Sequence, residues 1–239
     1  MFIGADVSHA AAGSKAPSLA TMVGSVDFEG VHYACPLPLN QNNREESIME
    51  VRSMVTELVN IYKRNTGAYP VRVMYFRDGV AEGQFDKVKA IEVAAIKETI
   101  GSMSGKAPTV TAIVVRKRNH TRLFPKEGEG DRGSRGNVFP GTVVDQDITH
   151  PTDWDFCISL SLPLLNDRLG STLKYTRHCT SCALLYVTCL NMLTVDVIHD
   201  DHRLNADFVQ RICYQMSYVY QRSSGAVSLR TTLFTSKLT

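Results

Sequence analysis

Cysteine is scarce in this chain, with six in 239 residues at positions 35, 157, 179, 182, 189 and 213. Scattered so thinly, they exclude a secreted disulfide scaffold and read as reduced thiols. There is one tryptophan, and the net charge is only +2. So small an excess gives no general electrostatic argument for a nucleic-acid partner, and such an argument has to come from local clusters. Long apolar runs are missing too. The longest, Ala183 to Ile198, contains Thr188, Asn191, Thr194 and Asp196, and is too short and polar to span a bilayer. No basic-then-apolar leader opens the sequence. No internal repeat is present. A soluble protein of the cytoplasm, with the nucleus as a second location and no membrane partner, is the expectation. An apolar fraction of 44% and a charged fraction of 21% suit one sizeable core.

The patterning predicts strands over residues 2–8, 18–27 and 30–35, the last two joined as a hairpin through Asp27-Phe28-Glu29-Gly30. Ile48, Val51, Val55, Leu58 and Tyr62 recur at three- and four-residue spacing and predict a helix over 44–64, stopped by Asn65, Gly67 and Pro70. Residues 71–76 form an apolar run without alternation, as in a strand buried on both faces. A helix over 82–100 with Phe85, Val88, Ile91, Ala95 and Ile96 inside, and a buried strand over 109–115, follow. A Gly-rich charged loop covers 125–137, a strand 138–145 and a helix 204–222. Residues 157–198 show neither strand nor helix period. A meander followed by βα units implies a mixed sheet with helices packed on it, in the α/β class. A strand at the very first residues, where domains usually begin loosely, suggests a fragment of a longer protein.

Asp6 lies within the first strand and Asp78 at the end of the fourth. A carboxylate in an apolar strand is costly to bury unless it is paired or binds a cation. Two on one sheet make a candidate site for magnesium or manganese, which favour hard oxygen ligands. The plainer alternative is a structural bond at Asp6 and an Asp-Gly turn at Asp78. After the fifth strand comes Arg116-Lys117-Arg118-Asn119-His120-Thr121-Arg122, which can grip phosphates or be a solvated charge run. Cys179-x-x-Cys182, with His178, Cys189, His199 and His202 in the neighbourhood, is a weak zinc signal without a second CxxC. Asp145, Asp147, His150, Asp153 and Asp155 read mostly as solvated or turn residues.

Taken together, several phrases are specific. Residues 4–9 (GADVSH), 76–85 (FRDGVAEGQF), 117–124 (KRNHTRLF), 141–145 (GTVVD) and 148–152 (ITHPT) resemble successive signatures of the Piwi domain of eukaryotic Argonautes. The likeness runs from 2 to 156 and resumes from about 200 to 229, with Tyr214-Gln215-Met216 and Ala226-Val227-Ser228. It implies a single ribonuclease-H-like domain over 1–239. It also implies an RNA-guided endoribonuclease chemistry with two divalent ions, with a small guide RNA, its target RNA and silencing-complex proteins as partners. By motif, Asp6 and Asp78 take the two aspartate ligand places. The catalytic glutamate aligns with Glu46, with Glu45 the neighbouring alternative, and the plainer reading of either is helix N-terminal charge. Lys117, Arg118, Arg122, Arg222 and Ser228 fall at nucleic-acid contacts.

Departures from the family pattern are equally definite. Its fourth metal ligand lies about ten residues beyond the Val-Ser pair, and that register selects Lys237. A protonated lysine cannot ligate a cation. The family's last helix is lacking, which reads as a truncated C-terminus. The segment 157–198 lacks the Ser-His-Ala-Gly and Gly-Thr-x-Arg-Pro phrases, as a shifted reading frame or a mis-assigned splice junction would leave it. A duplex-binding module that does not cut, or an inactive truncated product, is therefore the alternative to an endoribonuclease.

Overall fold

The computed structural model describes residues 1–11, 14, 16–41, 45–117, 121, 123, 125–126, 130, 138–160 and 192–219. These fall into two compact units. The first is Met1–Val115 with Val197–Arg203, and the second lies within Arg116–Asp196 and Leu204–Leu229.

The first unit is built on a mixed sheet. Its strands are β1 (Phe2–Ser8), β2 (Ser18–Ser25), β3 (Tyr33–Ala34), β4 (Leu39–Gln41), β5 (Arg72–Asp78) and β6 (Thr109–Arg116). Their order is β3-β2-β1-β5-β6, with β4 also pairing β2. β1 is antiparallel to β2 and parallel to β5, and β5 is parallel to β6. The hairpin expected between β2 and β3 is present. Its turn is held by Asp27, whose carboxylate accepts from the Val31 and His32 backbone N–H groups and meets the His32 ring at 2.7 Å.

One face of this sheet is the core. Ile3, Ala5, Val7, Met22, Val73, Tyr75, Val110, Ala112 and Val114 pack against Val51, Met54, Val55, Leu58 and Val59 of α1 (Val51–Thr66), and against Ile96 and Ile100 of a second helical stretch. That stretch runs through a 3₁₀ turn (Glu82–Gln84), α2 (Phe85–Val88), a π turn (Lys89–Val93) and α3 (Ala94–Ser104). Strand residues alternate between faces, so Gly4, Asp6, Phe76 and Asp78 belong to the other side of the sheet.

α1 begins seven residues later than its apolar spacing predicts. The reason is visible at residues 45–50. The Ile48 N–H is taken by the Glu92 carboxylate at 2.8 Å, and the Glu46 carbonyl by the Arg77 guanidinium. Groups satisfied by such tertiary partners do not join the helical ladder, so the segment stays irregular although Ser47 and Ile48 are buried. The π turn is the second departure. Within it Glu92 and Val93 are buried, while Ile91 is only partly buried.

The second unit contains β7 (Val143–Val144), β8 (Asp155–Ser159) and the part of β9 (Met192–Asp200) up to Asp196, paired antiparallel in the order β7-β8-β9, and α4 (Ala206–Met216). The strand expected over 138–145 is only two residues long. Asn205 caps α4, its side chain accepting from the Asp207 N–H at 2.8 Å. β8 and the start of β9 enter the stretch that has no readable period. The Cys179-x-x-Cys182 pair lies outside the described residues. Downstream, His202 bonds Thr109 and Thr111, and His199 bonds Lys97 and Asp201.

Candidate nucleic-acid cleavage site

The site starts from the parallel pairing of β1 and β5. Register runs from Phe2 opposite Met74 to Ala5 opposite Arg77. Asp6 and Asp78 are the next residue of each strand, so continuing that register by one sets them on one rung and one face, at the C-terminal ends of parallel strands. Ligand sites of open α/β sheets form at such ends. Both residues are partly buried. β5 stops here because Gly79 turns the chain with φ of 79° while its N–H is tied to the Val115 carbonyl at 3.1 Å. The Asp-Gly turn and the ligand position are therefore one feature.

Glu46 arrives from the irregular segment before α1. Its Oε2 lies 2.9 Å from His9 Nε2, and its Oε1 accepts from Arg77 Nη2 at 3.2 Å. His9 is fixed in turn by Ser18, 2.8 Å from Nδ1. Glu45 turns elsewhere, pairing with the half-exposed Lys87 at 2.6 Å. Among the described residues no group of three His, Cys, Asp or Glu is gathered closely enough to hold a metal ion. The structure thus brings Asp6 and Asp78 together by register, and keeps Glu46 paired with His9 and Arg77. The oxygen donors of Asp6 and Asp78 suit a hard divalent ion.

Arg77 is the hub of this corner. Its side chain is wholly buried and on the core face. Nη1 donates to the Asp78 carbonyl at 2.6 Å, Nη2 to the Glu46 carbonyl and carboxylate, and Nε to Glu92 Oε2 at 3.2 Å. Burial pushes the guanidinium pKa down, but the negative charge of Glu92, with that of Glu46 and Asp6, outweighs it and holds the group above its ordinary value. Glu92 also accepts the Tyr75 hydroxyl at 2.6 Å. Burial, then the charge of Glu92, drives that phenol's pKa well up, so Tyr75 stays a neutral donor.

Sequence reasoning missed His9, Arg77, Tyr75 and Glu92. One signal was available: Arg77 stands in a buried strand and Glu92 on a helix's apolar stripe, and opposite charges at two core positions point to a buried pair.

The basic cluster divides. Arg116 is committed to Asp196 through two contacts of 2.8 Å, Nε to Oδ2 and Nη2 to Oδ1. It is a structural fork rather than a phosphate grip. Lys117 is partly exposed at the end of β6. Arg118, Arg122, Arg222, Ser228 and Lys237 lie outside the described residues. Asp145 accepts from Gln210 at 3.0 Å, Asp155 from the His150 N–H at 2.8 Å, and Asp147 adopts φ of 65°, so these acidic residues are turn and packing groups.

Comparison with known proteins is consistent with this geometry. The profile of the Piwi domain family matches residues 1–166. The chain belongs to the Piwi domain family. Argonaute 2 of rice (Oryza sativa subsp. japonica) is 36% identical over 235 residues, 98% of this chain but 20% of that protein. Rice argonaute 12 is 36% identical over 242 residues, 95% of the chain and 21% of that protein. This Piwi domain therefore spans about a fifth of the length of those relatives. Among solved structures, the C-terminal lobe of a budding-yeast Argonaute superposes with a TM-score of 0.76 at 30% identity, covering 99% of this chain and 45% of the other. Kluyveromyces polysporus Argonaute with a guide RNA gives 0.76 at 29% identity, with coverage of 99% and 27%. Drosophila Piwi, at 21% identity and a TM-score of 0.68 over 99% of this chain and 28% of the other, shares the fold. The fold is the ribonuclease-H-like arrangement of Argonaute Piwi lobes.

Proposed function

We propose that this Piwi domain holds a guide–target RNA duplex, and that its parent protein cuts the target strand at the end of β1 and β5 in the service of gene silencing. The observation that supports this reading is the parallel register of β1 on β5, which, continued by one residue, sets Asp6 opposite Asp78. Asp6 and Asp78 would hold magnesium or manganese, which when bound supplies Lewis acidity for in-line hydrolysis of a phosphodiester. The chain's own residues do the rest. Asp6 and Asp78 present fixed oxygens. Glu46, held by His9 and Arg77, is the third carboxylate of this reading. Lys117, with Arg118, Arg122, Arg222 and Ser228, contacts backbone phosphates, so sequence selectivity comes from guide pairing and the duplex is gripped by its shape. Silencing-complex proteins are the expected further partners, and the cytoplasm, with the nucleus, the expected place.

The test is a cleavage assay on the guide-loaded full-length protein with magnesium. Site-specific cutting that Asp78→Ala abolishes, without loss of duplex binding, is the expected outcome. Lys237, standing at the register of the fourth ligand, favours a second reading, a module that binds duplex without cutting. Binding with no cutting by the wild-type protein would establish that second reading, and absence of duplex binding would remove both.

A further inference from the structure

The geometry points to Glu92 as the positioning residue that fixes the Glu46 segment against the catalytic end of β5, working through Arg77 and through the Ile48 backbone. This rests on the reading of Asp6, Asp78 and Glu46 as the cleavage site.

Glu92 is fully buried and is the one buried charge on a helical stretch whose other inward residues are apolar or, at Thr99, neutral. Such a charge persists only when every lone pair is used. Here each carboxylate oxygen has defined partners. Oε1 accepts the Ile48 N–H at 2.8 Å, and Oε2 accepts the Tyr75 hydroxyl at 2.6 Å and Arg77 Nε at 3.2 Å. Ile48 is two residues beyond Glu46. One oxygen thus grips the segment directly. The other orients the guanidinium, whose remaining nitrogens hold the Glu46 carbonyl, the Glu46 carboxylate and the Asp78 carbonyl. Two routes therefore run from one carboxylate to the candidate third ligand, and one of them also fixes the Asp78 backbone. Glu92 lies within the π turn Lys89–Val93, and single-turn π-bulges cluster at functional sites.

Glu46 has few other ties in its own segment. Its side-chain partners are His9 and Arg77, while neighbouring Glu45 pairs with the half-exposed Lys87 and its carbonyl accepts from Gln41. Removing the charge of Glu92 leaves Arg77 free to take other rotamers and releases the Ile48 N–H. The segment at 45–50 then samples open states while the sheet beneath it remains paired.

The experiment is backbone hydrogen exchange on the full-length protein carrying Glu92→Gln, with cleavage read in parallel. Exchange at amides 46–50 is expected to accelerate about tenfold or more, with core amides of β5 and β6 changing less than about threefold, because the opening is local. Arg77→Lys should reproduce the pattern, and the pair should be non-additive. Where the wild-type protein cuts, kcat should fall while the affinity for duplex holds. Uniform acceleration across β5, β6 and 46–50, or no acceleration anywhere, overturns the assignment. Should Glu92→Gln not fold, Tyr75→Phe removes one of the same bonds with little loss of packing, and the same local signature is required of it. A wild-type protein that does not cut refutes the cleavage reading alone, since exchange at 46–50 still decides whether Glu92 holds the segment.

Discussion

Arg77 and Glu92 form a fully buried ion pair, and their interdependence can be measured. Arg77→Met leaves the Glu92 carboxylate in the core with only a phenol and one N–H, and breaking a buried pair from one side costs about 3–5 kcal/mol. Glu92→Met strands the guanidinium in the same way, at a similar ~3–5 kcal/mol. If the two sites were independent, the double variant would lose about 6–10 kcal/mol, comparable with the whole stability of a domain. They are not independent. The double variant removes both charges, and what remains unmet includes the Tyr75 hydroxyl and the Ile48 N–H, at about 1–3 kcal/mol each, besides the Glu46 and Asp78 carbonyls that Arg77 had bonded. Counting the two donors, its expected cost is about 2–6 kcal/mol, which gives a coupling of roughly 4 kcal/mol. Adding Tyr75→Phe should recover about 1 kcal/mol by deleting one orphaned donor. The assay is urea unfolding of the four proteins, comparing midpoints at matched slopes. A double variant that equals the sum of the singles within about 0.5 kcal/mol would refute the argument.

Other consequences are open to direct measurement. Burial pushes the Asp27 carboxyl up, but the bonds from His32, Val31 and Gly30 outweigh it and leave its pKa below the usual carboxylate value. A depressed folded pKa gives stability that is present above the unfolded pKa and lost as pH falls through the folded one. Asp27→Asn should therefore cost about 1 kcal/mol at pH 7 and progressively less as pH falls below about 3.9, read as ΔTm against pH; a pH-independent cost would contradict this. Thr99 Oγ1 is buried without a hydrogen-bond partner, so Thr99→Val should be neutral or raise stability by up to about 1 kcal/mol, and a lower Tm would count against it. Cys213 is buried and its thiol is pushed up to about 12, so mass spectrometry should find it unmodified by thiol reagents until the protein unfolds. Lys117→Ala should weaken duplex binding alike for all sequences and lower the salt slope by about 0.7–0.9; an unchanged slope would remove Lys117 from the phosphate contacts.

The sequence by itself determined the sheet and its family. β1, β2, β5 and β6 are apolar runs whose burial follows from composition, and the βα order constrains their arrangement. It also placed Asp6 and Asp78, because a carboxylate among buried apolar neighbours stands out in a linear reading. What it could not convey is which residues meet across the chain. The delay of α1 to Val51 depends on Ile48 and Glu46 giving their backbone groups to partners 44 and 31 positions away. The helical stripe read through Ile91 missed Glu92, which stands four residues after Val88 and is buried where Ile91 is only partly so. Arg116 looked like part of a phosphate grip until its fork closed on Asp196, 80 residues on. Periodicity reports what each segment buries. Which buried charge meets which counter-charge is set by the register of β1 on β5 and by the turn of one helix, so the support of the candidate site is a property of the tertiary structure alone.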